Sequence, residues 1–173
     1  MNMPQREAVD LEGYIRRSQA GPCFICGIIG RKSGYEDNHI LYENDIAIAF
    51  LNKYPTLYGY TLVAPREHRE QVTSDFSLEE YLALQKVVYS IAEALRQEVP
   101  TERMYILTLG SQQGNRHVHW HIAPLPPGVP YTEQQFAALS MENGILKLSR
   151  EEMSVLAERI RKRLESMTRR EGA

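Results

Sequence analysis

Three of the chain's five histidines fall within five residues, at every second position of "RHVHWHIAP" (116–124), with Val118, Trp120 and Ile122 between them. Alternate side chains of a strand face opposite sides. His117, His119 and His121 would therefore share one face while Val118, Trp120 and Ile122 enter a core on the other. Imidazoles set out this way have three uses. They can sit hydrogen-bonded on a polar face and do no chemistry. Two histidines two apart can grip one zinc or iron ion from the same side. A neutral ring nitrogen can also attack phosphorus and carry a covalent intermediate, which water or another acceptor then resolves.

A second group stands upstream. Cys23 and Cys26, in "CFIC", have the C-x-x-C spacing that lets two thiolates reach one metal. A redox pair would open a helix within a thioredoxin-like βαβ pattern, and the flanking sequence has none. Two small buried apolar side chains is the plain alternative. A closed zinc site needs two further ligands, which here must be histidines. Spacing alone does not choose between His39 and His68.

The elements that position these groups read as an α+β layout. Residues 6–18 make a weak helix interrupted by Gly13, and "GPCFICGIIGRKSGYED" reads as a knuckle-like loop with short extended pieces. "HILYEN" and "IAIAFL" suggest a hairpin, "NKYPTLYG" a loop and "YTLVA" a buried strand. Ser77 and Glu80 form an S-x-x-E capping box. Behind them Tyr81, Leu84, Val88, Ile91 and Leu95 give one face of a helix over 78–98. "MYILTL" reads as a strand buried on both faces and "HVHWHIA" as the last strand, stopped by Pro124, Pro126, Pro127 and Pro130. Two more boxes, Thr132 with Gln135 and Ser149 with Glu152, start helices in the tail. The second shows Met153, Leu156, Ile160, Leu164 and Met167 at helical spacing, with a basic face ("RIRKR") read as solvated.

At 173 residues a single domain spanning 1–173 is expected. A net charge of −2 argues against a general nucleic-acid binder, and no apolar run approaches the ~18 residues of a membrane span. The N-terminus lacks the basic, apolar, small-residue order of a secretory signal. Two cysteines do not make a disulfide framework. A cytoplasmic protein without nucleic-acid or membrane partners is the expectation.

"HVHWHI" fills all six positions of H-φ-H-φ-H-φ, with φ apolar, and so resembles the histidine-triad (HIT) nucleotide hydrolases and transferases. "AFLNKYPTLYGYTLVAPREH" resembles the family's upstream block, an aromatic-x-Asn/Asp segment leading through a Gly to "LVxPxxH". The resemblance covers about residues 20–127, leaving 1–19 and the helical tail 128–173 as extensions.

It implies a HIT-like α+β fold, an antiparallel sheet with the long helix packed on it, and a homodimer. It implies cleavage at the α-phosphorus of a purine nucleotide, either a dinucleoside polyphosphate or a nucleoside phosphoramidate, through a nucleotidyl-histidine. His119 takes the place of the nucleophile, and His121 that of the group assisting the leaving oxygen. Asn52 matches the ribose-holding position, Phe50 and Leu51 would lie near the base, and Gln113 approximates a Gln in the phosphate-contacting loop. Zinc-containing members complete C-x-x-C with the "PxxH" histidine and the first triad histidine, here His68 and His117. That gives a structural zinc on Cys23, Cys26, His68 and His117, and leaves His39 at the surface. Two departures stand out. Tyr60 occupies the position of a fourth histidine, and Gly114 that of a hydroxyl residue. A weakly active nucleotide-binding regulator, or a zinc metalloenzyme using the histidine strand, are the alternatives.

Overall fold

The computed structural model of the chain describes residues 5–112 and 114–171. Asp10 starts the first helix, because its carboxylate accepts the Gly13 N–H at 2.8 Å. The helix expected over 6–18 is therefore Leu11–Ala20 (α1), and Arg6–Glu7 is extended (β1). Pro22 and Cys23 lead into a second helix, Phe24–Ile29 (α2), where a loop with extended pieces was expected. Cys23 Sγ accepts the Cys26 N–H at 3.4 Å and so caps that short helix itself.

The expected hairpin is present as Ile40–Glu43 (β2) and Ala47–Leu51 (β3). Asn44 Oδ1 builds its turn by accepting the N–H groups of Ile46 and Ala47 at 3.1 and 2.8 Å. Thr61–Pro65 (β4) follows, then Leu78–Glu98 (α3). The capping box of α3 closes in both directions, Ser77 N–H to Glu80 at 2.7 Å and Glu80 N–H to Ser77 at 3.2 Å. Arg103–Thr108 (β5) and Trp120–Leu125 (β6) complete an antiparallel sheet in the order β2-β3-β4-β6-β5.

Two expectations change here. The strand "MYILTL" is an edge strand, so it is half-exposed rather than buried on both faces: Ile106 is 47% accessible. The last strand begins at Trp120 rather than at the first triad histidine. Its pairing with both neighbours stops there, with Val63 and Thr108 both opposite Trp120, and Val118 N–H turns to the Arg69 carbonyl at 2.7 Å.

The tail holds Phe136–Leu139 (α4), Ile145–Leu146 (β7) and Arg150–Glu171 (α5). The box of Ser149 with Glu152 forms at 2.7 and 3.1 Å. The box expected at Thr132 and Gln135 does not: Gln135 has φ 55°, and its N–H goes to the Tyr105 hydroxyl at 3.0 Å. β7 pairs antiparallel with β1. No helix among the described residues is long and apolar enough to cross a membrane.

Both faces of the sheet are covered. On one, Ala49, Leu51, Val63, Trp120 and Ile122 meet α3 and α5, with Met153, Leu156, Ile160 and Leu164 of α5 buried as their spacing predicts. On the other, Ile48, Phe50, Leu62 and Ala123 meet Ile25 and Ile28 of α2 and Ala138 of α4. Part of the basic face of α5 is engaged rather than solvated: Arg159 and Arg163 both bind Glu98 at the end of α3.

Candidate active site and metal centre

The alternation expected of the triad is kept even though the strand starts late. Val118, Trp120 and Ile122 are buried against α3, and the three imidazoles point to the other side. His119 is 4% exposed and its Nδ1–H donates to the His117 carbonyl at 2.7 Å. A carbonyl only accepts, so this bond fixes the neutral tautomer and leaves Nε2 with its lone pair. Burial holds the His119 pKa below the ordinary histidine value, and the bond to His117 opposes this. A buried, neutral imidazole with a free Nε2 is able to act as a nucleophile.

His121 carries the opposite tautomer. Its Nε2–H points at the Leu109 carbonyl at 3.4 Å, and Nδ1 accepts the Tyr60 hydroxyl at 2.9 Å. Burial first, and His119 second, lower His121 to about 4. Burial likewise pushes the Tyr60 phenol up to about 12, so it stays a donor. The His119 and His121 rings lie 4.7 Å apart, centre to centre.

Cys23, Cys26, His68 and His117 converge, their ligand atoms all within 4.8 Å of one another. Cys26 Sγ stands 3.3 Å from His68 Nδ1 and 3.5 Å from His117 Nδ1, and Cys23 Sγ 3.5 Å from His117 Nδ1. A tetrahedral site with metal–sulfur bonds of ~2.3 Å and metal–nitrogen bonds of ~2.0–2.1 Å has S···N edges of about 3.5 Å. Both histidines turn Nδ1 inward because Nε2–H is used elsewhere, by the Pro65 carbonyl at 2.9 Å for His117 and by Glu70 at 3.2 Å for His68. Burial and the neighbouring Cys23 push the Cys26 thiol up to about 11, a penalty that a bound dication removes. The set fits a closed four-ligand metal. His39 stays outside it, half-buried beside β3.

The sequence model of the HIT domain matches residues 33–127, more than half of the chain. The chain belongs to the HIT family. An uncharacterized HIT-like protein of Saccharolobus solfataricus is 36% identical over 109 residues, 59% of this chain and 73% of its own. An uncharacterized HIT-like protein of Mycoplasma pneumoniae is 32% identical over 107 residues, 60% of this chain and 70% of its own. Among solved structures, a hypothetical histidine triad nucleotide-binding protein from Sulfolobus tokodaii matches with a TM-score of 0.68 at 26% identity, over 85% of this chain and 95% of the other. A zinc-bound histidine triad family protein from Mycobacterium smegmatis shares the fold, with a TM-score of 0.65 at 22% identity, over 84% of this chain and 95% of the other.

In front of the HIT motif lies one cleft of about 1150 Å³, lined by His119 and His121 together with Phe50, Asn52 and Tyr60. Phe50 is 1% exposed, so the cleft meets only its edge. Asn52 Oδ1 holds its own loop by accepting the Tyr54 N–H at 3.0 Å. Gln113 lies outside the described residues. Phe24 was not singled out from the sequence, yet its ring lies edge-on to both His119, at 6.2 Å, and Phe50, at 6.4 Å. Its position inside C-x-x-C was the available signal, since the Cys23 and Cys26 contacts to His117 bring residue 24 beside residue 119.

Proposed function

We infer that this HIT protein is a nucleotide phosphohydrolase or nucleotidyltransferase acting at the α-phosphorus of a purine nucleotide. The observation that carries the reading is the Nδ1–H bond from His119 to the His117 carbonyl, which leaves Nε2 unprotonated in the cleft. Nε2 attacks the α-phosphorus, the bond from phosphorus to the leaving group breaks, and its electron pair departs with that group. The imidazole becomes cationic once Nε2 is bonded to phosphorus. The 2.7 Å bond to a carbonyl then stabilises the charge. His121 Nε2–H turns from the Leu109 carbonyl to the leaving atom, with Nδ1 held by Tyr60. Water, or another acceptor, breaks the P–N bond in the second step. Hydrolysis gives a nucleoside monophosphate, regenerates His119 and releases one proton.

Asn52 holds the ribose hydroxyls in this reading, and Phe50 with Phe24 borders the base. Zinc on Cys23, Cys26, His68 and His117 would tie α2 to the catalytic segment as a structural ion, since all four positions are filled by protein. The edge strand β5 with its bare Ile106, and the exposed Leu82 and Tyr89 on α3, support pairing with a second copy. Light scattering should give the mass of a dimer, and Ile106→Glu should return it to a monomer.

The test of the chemistry is covalent capture. Wild-type protein mixed with a nucleotide substrate and quenched in alkali should gain the mass of one nucleotidyl group. His119→Ala should gain none and lose turnover by ~10³-fold or more. Full turnover in His119→Ala would end the proposal, because a binder or a metalloenzyme does not need that nitrogen.

A further inference from the structure

Both extensions of the chain wall the cleft, α1 through Tyr14, Arg16 and Arg17 and the tail through Phe136, Leu139 and Met141, all of them outside the segment matched by the HIT domain. The extensions also grip the loop 52–60, which carries Asn52 and Tyr60. That loop is closed at its base by Asn52 N–H to the Tyr60 carbonyl at 2.8 Å. Its apex is held from outside. Leu146 N–H of β7 donates to the Pro55 carbonyl at 2.7 Å, and Arg6 of β1 donates to the Thr56 carbonyl at 2.9 Å and to the Gly144 carbonyl at 2.7 Å. One guanidinium thus fastens the N-terminal strand, the tail and the loop together.

The side chain of Thr56 is the anomaly in this clasp. Thr56 lines the cleft and is 1% exposed, yet its hydroxyl has no hydrogen-bond partner among the described residues. Thr61, equally buried, donates its hydroxyl to the Gly59 carbonyl at 2.9 Å. A buried hydroxyl left unpaired destabilises a fold, and a valine of the same shape would avoid that loss. With Arg6 and Leu146 holding the backbone at Thr56 and Pro55, the loop does not turn to supply a partner. An unpaired group at such a place is satisfied by what enters the cleft, solvent or ligand. A neutral hydroxyl that both donates and accepts suits the edge of a flat heteroaromatic ring, and Phe50, Leu139 and Met141 supply the apolar lining that the faces of the ring need.

We propose that Thr56 is a specificity-determining residue, its hydroxyl bonded to the C6 substituent of the bound purine, and that Arg6 is the positioning residue that sets it there. A purine joins its ribose through N9, and C6 stands at the far end of the ring system. With the ribose on Asn52, at the start of the loop, the far end of the base comes to the apex of that loop. A hydroxyl donates to a C6 carbonyl and accepts from a C6 amine. Thr56 therefore reads the presence of a polar group at C6 and admits either kind of purine. This inference rests on the reading of the cleft as a nucleotide site.

Calorimetry on the intact wild-type chain, with AMP and with purine riboside 5′-monophosphate, which lacks the C6 substituent, tests this without turnover. AMP should bind about 5- to 10-fold tighter, the worth of one hydrogen bond. Thr56→Val keeps the shape and loses the hydroxyl, so it should bring that ratio to about 1, with Tm unchanged or raised because the unpaired group is gone. Arg6→Gln should shrink the ratio, and Arg6→Lys, which keeps one of the two bonds, should shrink it less. In the Thr56→Val background Arg6→Gln should leave the ratio where it stands, a coupling that mere loosening of the fold does not produce. A wild-type ratio near 1, or a ratio that Thr56→Val does not move, overturns the inference while the nucleotide reading stands, and the hydroxyl then holds a water only. A wild-type chain that binds neither compound overturns both.

Discussion

The Tyr60 hydroxyl and His121 Nδ1 are 2.9 Å apart, and this bond sets which nitrogen of His121 carries the proton. A phenol held up at about 12 donates across the working range, so Nδ1 accepts and the proton sits on Nε2, which points at the Leu109 carbonyl. Tyr60→Phe removes that donor and frees His121 to change tautomer. Losing one such bond costs about 1 kcal/mol, or roughly 3- to 10-fold in turnover. Because Tyr60 does not ionise until about 12, the ratio of wild-type to variant kcat should stay flat over ~pH 7 to 10. A ratio that bends near the ordinary phenol value of ~10 would show that Tyr60 acts by titrating and not by donating.

The same burial makes His121 a pH-dependent stability element. Its pKa falls from 6.5 to about 4 on folding. Between those values the unfolded chain takes up a proton that the folded protein refuses, so stability is full above 6.5 and declines as pH drops toward 4. His121→Gln removes this contribution without touching the metal ligands. Urea denaturation of both proteins across that window should show the wild type losing more stability on acidification than the variant. Parallel losses would mean that His121 is solvated.

Removing the metal should cost fold and activity together. Cys26 contacts both His68 and His117 at 3.3–3.5 Å, so Cys26→Ser breaks the set at its most connected member. Zinc content should drop well below one per chain. A loss of about 3 kcal/mol lowers Tm by about 6–12 °C for a chain of this size. Chelation that abolishes turnover while Tm holds would instead favour a catalytic metal, which a closed four-ligand set does not predict.

Much of this was legible in the sequence where one physical rule decides. Alternation placed Val118, Trp120 and Ile122 in the core and the histidines opposite, and the Ser77 and Ser149 boxes fixed the starts of α3 and α5. The failures came where a tertiary partner overrides a local pattern. The run "MYILTL" reads as fully buried, but strand order puts it at an edge, and no property of the run itself reveals that. Gln135 loses its helix start because the Tyr105 hydroxyl, 30 residues away, takes its N–H. The helix at Phe24–Ile29 was hidden by Gly27 and Gly30, which read as loop residues, and it is capped by a thiol rather than by a usual capping group. The wall of the cleft built by α1 left no trace at all in residues 11–20 beyond Arg16 and Arg17.

The face of α5 turned to the sheet should behave as core. Leu156 and Ile160 are wholly buried among α3 and sheet residues. Truncating either to Ala removes buried methyl groups and leaves a cavity, at a cost of about 2–5 kcal/mol. Chemical denaturation should report that loss for each variant separately. Val155, on the same helix but 53% exposed, sets the comparison, and Val155→Ala should change stability by less than ~1 kcal/mol. Equal small effects at all three positions would mean that α5 is loosely attached.

Gly114 tests whether α1 is held on the loop beside the triad. A Cβ there would approach the Ser18 carbonyl oxygen at 3.0 Å and its carbon at 3.2 Å, and backbone cannot swing away as a side chain would. Gly114→Ala should therefore push the end of α1 off the turn and weaken the Asn115–Tyr14 bond. The main core lies on other elements, so Tm should move little. Amide exchange over residues 11–20 should speed up by about 10-fold as the helix opens more often. A variant whose α1 amides exchange as slowly as those of the wild type would show that the contact of the helix with the loop contributes nothing to holding it there.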